Sequence, residues 1–132
     1  MKVVITSGKR KRAIARASLK PGKGRIRINK ILLEAIPSSF VRNRLLEPLM
    51  LSGDLSSQVD IDVSVAGGGS TSQAEAARLV IAKSLVQFSK DKQLEQKYLA
   101  YDRHLLVADV RRKETRKPND SKARAKRQKS YR

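Results

Sequence analysis

The chain has 132 residues, enough for one domain with a two-layer core, and 39% of them are hydrophobic. It holds no cysteine, which excludes a disulfide framework, a thiolate nucleophile and a cysteine-ligated zinc site. A formal charge of +18, with no run near eighteen apolar residues, turns attention from a lipid core to a polyanionic partner.

The charge lies in blocks. Residues 1–30 carry eleven bases and no acid, 31–110 carry eight bases and ten acids, and 111–132 carry eleven bases and two acids. The organisation expected is a globular RNA-binding domain over 1–110 and an extended basic tail over 111–132. Cationic blocks that cannot offset their own repulsion by burying apolar surface are completed by an opposite polyelectrolyte, and nucleic-acid phosphates supply that charge at close spacing. An anionic membrane would need an amphipathic face beside the bases, and the tail offers only Tyr131 and a few alanines. The first twelve residues hold an apolar stretch too short for a signal peptide, so the chain reads as soluble and cytoplasmic, and no internal repeat is evident.

In chain order, Val3 to Ser7 can begin a strand. From Ala13 the alternation resumes, with Ala13, Ala15, Ala17 and Leu19 on one face and Ile14, Arg16, Ser18 and Lys20 on the other. Pro21 to Gly24 is a turn, and Arg25 to Asn29 returns as a second strand of a hairpin, Ile26 and Ile28 inward and Arg25, Arg27 and Asn29 outward. Arginines on alternate residues stand roughly 7 Å apart along a strand, which suits successive phosphates. Ser38 or Ser39 caps a helix through Phe40, Val41, Leu45 and Leu46, which Pro48 breaks before Gly53 ends it.

Val59, Ile61, Val63 and Val65 alternate with Asp60, Asp62 and Ser64 in the clearest strand of the chain. The two aspartates have no third ligand nearby, so a solvated strand face explains them better than a metal. Gly67, Gly68 and Gly69 lead into a long helix opened by Ser70, Thr71 and Ser72, with Ser72 and Glu75 spaced as a capping box and Ala74, Ala77, Ile81, Leu85 and Phe88 as its apolar stripe. Bare amides at such a helix start suit a phosphate, although the loop matches neither nucleotide-binding pattern. A shorter helix begins near Asp91 with Leu94 and Tyr98 one turn apart. His104, the sole histidine, shows no nucleophile and acid to work with, so neither enzyme, metal nor cofactor is expected. A DNA-reading module would want Arg, Asn or Gln along one helix face, where the long helix here is mostly alanine and aliphatic.

Four stretches in order carry a resemblance: Ser7 to Lys11 with Ala13 to Ala17; Pro21 to Gly24 with the strand to Asn29; Gly67 to Gly69 with Gln73, Ala74, Ala76 and Arg78; and Glu114 to Arg132 with Lys117-Pro118, Lys122 to Arg124, Gln128 and Ser130. The chain resembles the S-nine family of universal small-subunit ribosomal proteins, in its archaeal or eukaryotic-like form. Departures are Asn119 where relatives often have glycine, Val80 where many bacterial members have a small residue, and Lys129 and Tyr131 in reversed chemical order.

The resemblance implies an α+β, two-layer fold, a mixed four-stranded sheet with two main helices on one face, like the second domain of ribosomal protein S-five. It implies a seat in the subunit head on ribosomal RNA, beside neighbouring head proteins and without homo-oligomerisation. Joined to the charge pattern, it gives as ribosomal RNA contacts Lys9, Arg10, Lys11, Arg12, Arg16, Lys23, Arg25, Arg27, Gly67, Gly68, Gly69, Ser70, Thr71, Gln73 and Arg78. In the tail it gives Arg111, Arg112, Lys113, Arg116, Lys117, Lys122, Arg124, Lys126 and Arg127 for the same RNA, and Lys129, Ser130, Tyr131 and Arg132 for transfer RNA in the peptidyl site. The alternative is a non-ribosomal basic RNA-binding protein or an RNA-processing cofactor on a related fold, and the latter gives no reason for a cationic thread.

Overall fold

The computed structural model describes residues 3–107; every expectation on 108–132, the extended tail and the boundary at 110 included, lies outside the described residues. Strands β1 (Val4–Arg10), β2 (Ala13–Pro21), β3 (Ile26–Ile28) and β4 (Ile31–Leu32) come first, then helix α1 (Ser39–Ser52), strand β5 (Val59–Ala66) and helices α2 (Ser70–Ser89) and α3 (Lys92–Tyr101). They form one mixed sheet of five strands with three helices. The strand beyond the expected four is β4, whose two residues are too few to leave a periodic signal.

The alternation in β2 is as expected: Ala13, Ala15, Ala17 and Leu19 are buried and the residues between them are exposed. The expected pairing of β2 with β3 is not what forms. Strand β5 lies between them, antiparallel to β2 and parallel to β3. Its Val59, Ile61, Val63 and Val65 are all buried, and so apolar a strand gains most in the sheet interior. The Pro21–Gly24 turn therefore wraps the start of β5, with the Gly22 and Gly24 amides donating to the carbonyls of Gln58 and Val59 at 3.0 Å each. The hairpin joins β1 to β2 instead, through Lys11 and Arg12, with Lys11 at φ 54°.

Helix α2 lies across β1, β2 and β5, and α1 and α3 pack against it. Small β2 alanines let the helix approach, and Leu79 to Ala82, Ser84 and Leu85 are buried in the contact. Val80, where a small residue was noted in relatives, is fully buried, and its carbonyl accepts the Thr6 hydroxyl at 3.1 Å. Ser38 caps α1 by accepting from the Val41 amide, and Gly53 closes it at φ 64°. Pro48 does not break α1. It is buried within the helix, and its carbonyl accepts the Tyr98 hydroxyl at 2.7 Å, so tertiary packing holds what the missing amide gives up. Burial pushes the Tyr98 phenol above its ordinary pKa.

Asn29, at φ 50°, was expected to face outward with the arginines. Its side chain instead donates to the Val65 carbonyl at 3.2 Å and accepts from the Val65 amide at 2.9 Å, continuing the ladder on β5 where β3 has ended.

Candidate nucleic-acid interface

Two segments far apart in the chain meet at one corner. Gly67 and Gly68 have φ of 82° and 64°, and a Cβ on Gly67 would come within 2.6 Å of the Arg12 carbonyl oxygen. The glycines thus let the chain leave β5 in the left-handed region and press against the β1–β2 turn. This contact sets the Lys11–Arg12 turn against the loop that opens α2, while Lys9 and Arg10 line a cavity with Arg44, Glu75, Arg78, Asp102 and His104. Helix α2 has Gly69 as its N-cap and no side-chain cap, so the first-turn amides at Ser70, Thr71 and Ser72 have no capping side chain of their own. A positive helix end with the cations of the adjoining turn makes a phosphate-binding geometry.

The capping box expected from Ser72 and Glu75 is absent. The helix begins two residues before Ser72, and Glu75 is drawn to Arg44 at 3.5 Å and Arg78 at 3.7 Å. Gln73 latches the loop, its Nε2 donating to the Gly67 carbonyl at 3.0 Å.

The cationic strand face expected at Arg25 and Arg27 is partly neutralised. Arg27 Nε donates to Asp62 at 2.8 Å, and this bond raises the arginine's pKa. Arg25 precedes β3, and its amide and that of Lys23 donate to Asp60 at 2.9 and 3.0 Å. The Arg25 amide above all holds the Asp60 carboxyl below its ordinary range. Asp60 and Asp62 therefore brace the turn and β3, and no metal-holding group of His, Cys, Asp or Glu occurs among the described residues. Sequence reasoning had treated the acidic face of β5 and the basic face of β3 apart; their parallel pairing places them side by side.

Arg78 corrects the expectation most. Its side chain is only 2% exposed, and its guanidinium stands 2.8 Å from Glu47 on α1, 3.7 Å from Glu75 on α2 and 2.9 Å from Asp102 beyond α3. It is the interior joint of three helices, with its charge met by acids of the fold. Asp102 also accepts the His104 amide at 3.0 Å. Burial opposes the charge on Asp102, but the His104 amide and Arg78 outweigh it and hold its pKa below the ordinary value. His104 is exposed on that short turn, with Nδ1 3.4 Å from the Val107 carbonyl. Of the joint's acids, Glu75 stands one helical turn before Arg78 on α2, whereas Glu47 and Asp102 are distant in sequence and left no local sign.

No helix among the described residues is long and apolar enough to cross a membrane. Tail residues Arg111 to Arg132 lie outside the described residues.

A family model described as ribosomal protein S9/S16 matches residues 8–132. Small ribosomal subunit protein uS9 of Methanococcus maripaludis strain C5 is 50% identical over 134 residues, covering all of both chains. The protein of the same name from Picrophilus torridus is 50% identical over 129 residues, covering 98% of this chain and 97% of its own.

Proposed function

The chain belongs to the ribosomal protein S9/S16 family, and on that premise we propose that it is a structural constituent of the small ribosomal subunit that binds ribosomal RNA and performs no reaction of its own. The observation that carries the RNA reading is the corner where Lys9 to Arg12 meets Gly67 to Thr71, two segments whose shared chemistry is phosphate binding. Gln73 holds the loop and Arg16 stands on β2 toward that corner, whereas Lys23 and Arg25 lie at the opposite end of β5, beside Asp60, and Arg27 is paired with Asp62. Arg78 is left to its interior role.

The basic segment from Arg111 to Arg127 runs along ribosomal RNA, and Lys129 to Arg132 contact the transfer RNA in the peptidyl site. Eighteen extended residues span roughly 60 Å, well past a domain radius of roughly 15 Å, and arginine's planar fork grips phosphate oxygens at two points. The protein is cytoplasmic in this reading and sits in the subunit head among other ribosomal proteins.

Sedimentation of cell extract in high salt tests the placement: the chain travels with the small subunit, and its recovery in the free fraction refutes the proposal. Removal of Ser130, Tyr131 and Arg132 weakens transfer RNA binding and leaves subunit assembly intact. Unchanged transfer RNA affinity refutes the tail assignment alone.

A further inference from the structure

Among the described residues, the helices cover one face of the sheet and leave the other bare. Ile5, Ser7 and Lys9 on β1, Ile14, Arg16, Ser18 and Lys20 on β2, and Asp62, Ser64 and Ala66 on β5 are all exposed there. Arg16, Ser18, Arg27, Lys30, Asp62 and Ser64 line an open trough of about 670 Å³. We infer that this bare face is a seat for the sugar-phosphate backbone of RNA, centred on Arg16; the inference rests on the ribosomal reading and names a surface of that function.

Charge complementarity selects the occupant. The acids on this face are committed: Asp62 pairs with Arg27, and Asp60 takes the Lys23 and Arg25 amides while standing opposite Lys20. The β1–β2 half carries no acid at all. Arg16 stands between two serines, Ser7 on β1 and Ser64 on β5, so no carboxylate is its cross-strand partner. Its guanidinium, unlike those of Arg27 and Arg78, has its charge left to offer.

Side-chain size selects the part of the RNA. Ser7, Ser18, Ser64 and Ala66 are short, so a bulky backbone can lie close to the strands, and three hydroxyls are there to bond phosphate or ribose oxygens. The described aromatics lie off the sheet: Phe40 is on α1, Phe88 on α2, and Tyr98 and Tyr101 on α3. Base stacking of the kind that single-strand platforms use has no partner on this face. Lys9 links the face to the corner at the β1–β2 turn, so the two form one continuous cationic surface. Ile5, 75% exposed, and Ile14, 42% exposed, are its apolar part and pack against ribose.

The absence of cysteine makes the test clean. Ser18→Cys and Ser64→Cys each place one near-isosteric thiol on the bare face, and Lys97→Cys places one on the exposed side of α3. Each full-length variant is labelled with a short-range hydroxyl-radical probe and incorporated into small subunits. Ribosomal RNA is cut from positions 18 and 64 and at least tenfold less from position 97. Normal incorporation with no RNA cleavage from either sheet position overturns this inference and leaves the ribosomal reading standing. Cleavage of a neighbouring protein in place of RNA also overturns it, since the occupant is then a polypeptide. Failure of the unlabelled parent to enter the subunit overturns both. An Arg16→Gln protein that incorporates normally shows a salt slope of RNA binding lower by about one unit; an unchanged slope removes Arg16 from its centre.

Discussion

The buried joint at Arg78 and the exposed corner at Lys9 to Arg12 use the same residue types to opposite ends. Around Arg78 three carboxylates from three elements close on one guanidinium within 2.8 to 3.7 Å. At the corner, the end of a run of four consecutive cations turns at Lys11 and Arg12 against the loop of a helix start that also carries positive potential. The first arrangement satisfies its charge inside the fold and contributes to stability; at the second, Lys11 and Arg12 stand exposed on the turn beside a helix end of the same sign, a place that suits an anionic partner. An arginine's sequence neighbours do not tell which role it has, because Arg78 and Arg16 both sit among small apolar residues. Acids brought by other elements decide.

The largest effect separating the two regions comes from Arg78→Met. With the guanidinium gone, Glu47, Glu75 and Asp102 lose the buried cation they share, and Arg44, itself 34% exposed in its side chain, reaches Glu47 and Glu75 only at 3.5–3.6 Å. Removing one partner of a buried pair costs about 3–5 kcal/mol, so urea unfolding shifts by that amount, while the folded fraction keeps its RNA affinity. A loss under about 1 kcal/mol, the range of exposed pairs, means that the joint is screened by solvent after all.

Gly67→Ala bears on the corner and ranks next. The left-handed φ and the approach to the Arg12 carbonyl both oppose a side chain, and strained backbone of this kind costs about 1–3 kcal/mol. Gly53→Ala is the matched control, since Gly53 also has positive φ, yet a Cβ there would meet nothing within 4 Å. Thermal melts that fall more for position 67 than for position 53, with RNA affinity lost only at 67, separate the contact from the backbone strain. Equal melts would mean that the β1–β2 turn yields freely.

Acid sharpens the contrast further, through Asp102 of the joint. Asp102 is held below its ordinary value of 3.8, so the unfolded chain takes up its proton first. The stabilisation from Asp102 is therefore intact above 3.8 and is lost as pH falls through the lower folded value. Asp102→Asn lowers stability at neutral pH and flattens this acid limb; parallel curves for parent and variant would assign the limb to other carboxylates.

The local layer of this fold was legible. Period-two alternation marked β2 and β5, Ser38 and Gly53 marked the ends of α1, and Asp91 marked the start of α3, where it accepts the Gln93 amide. What escaped were long-range choices. Nothing local shows that β5 enters between β2 and β3, because pairing depends on which strand gains most from being central. The site followed the same rule. Lys9 to Arg12 and the glycine loop were each readable as phosphate-binding segments, yet their contact, the neutralisation of Arg27 by Asp62 and the burial of Arg78 all depend on residues brought from other elements.

The smallest effect tests a motif that the structure takes apart. Ser72 and Glu75 have capping-box spacing, and a working cap at Ser72 would be worth about 1 kcal/mol. Since α2 starts at Ser70 and Glu75 is engaged by arginines, Ser72 is already inside the first turn, where alanine is a better helix former than serine. Ser72→Ala therefore changes stability by less than about 0.5 kcal/mol, whereas Ser38→Ala, which removes an observed cap on the Val41 amide, costs about 1 kcal/mol. Equal losses at the two serines would put the start of α2 at Ser72, and the bare amides beside Lys9 to Arg12 would then no longer be available to a phosphate.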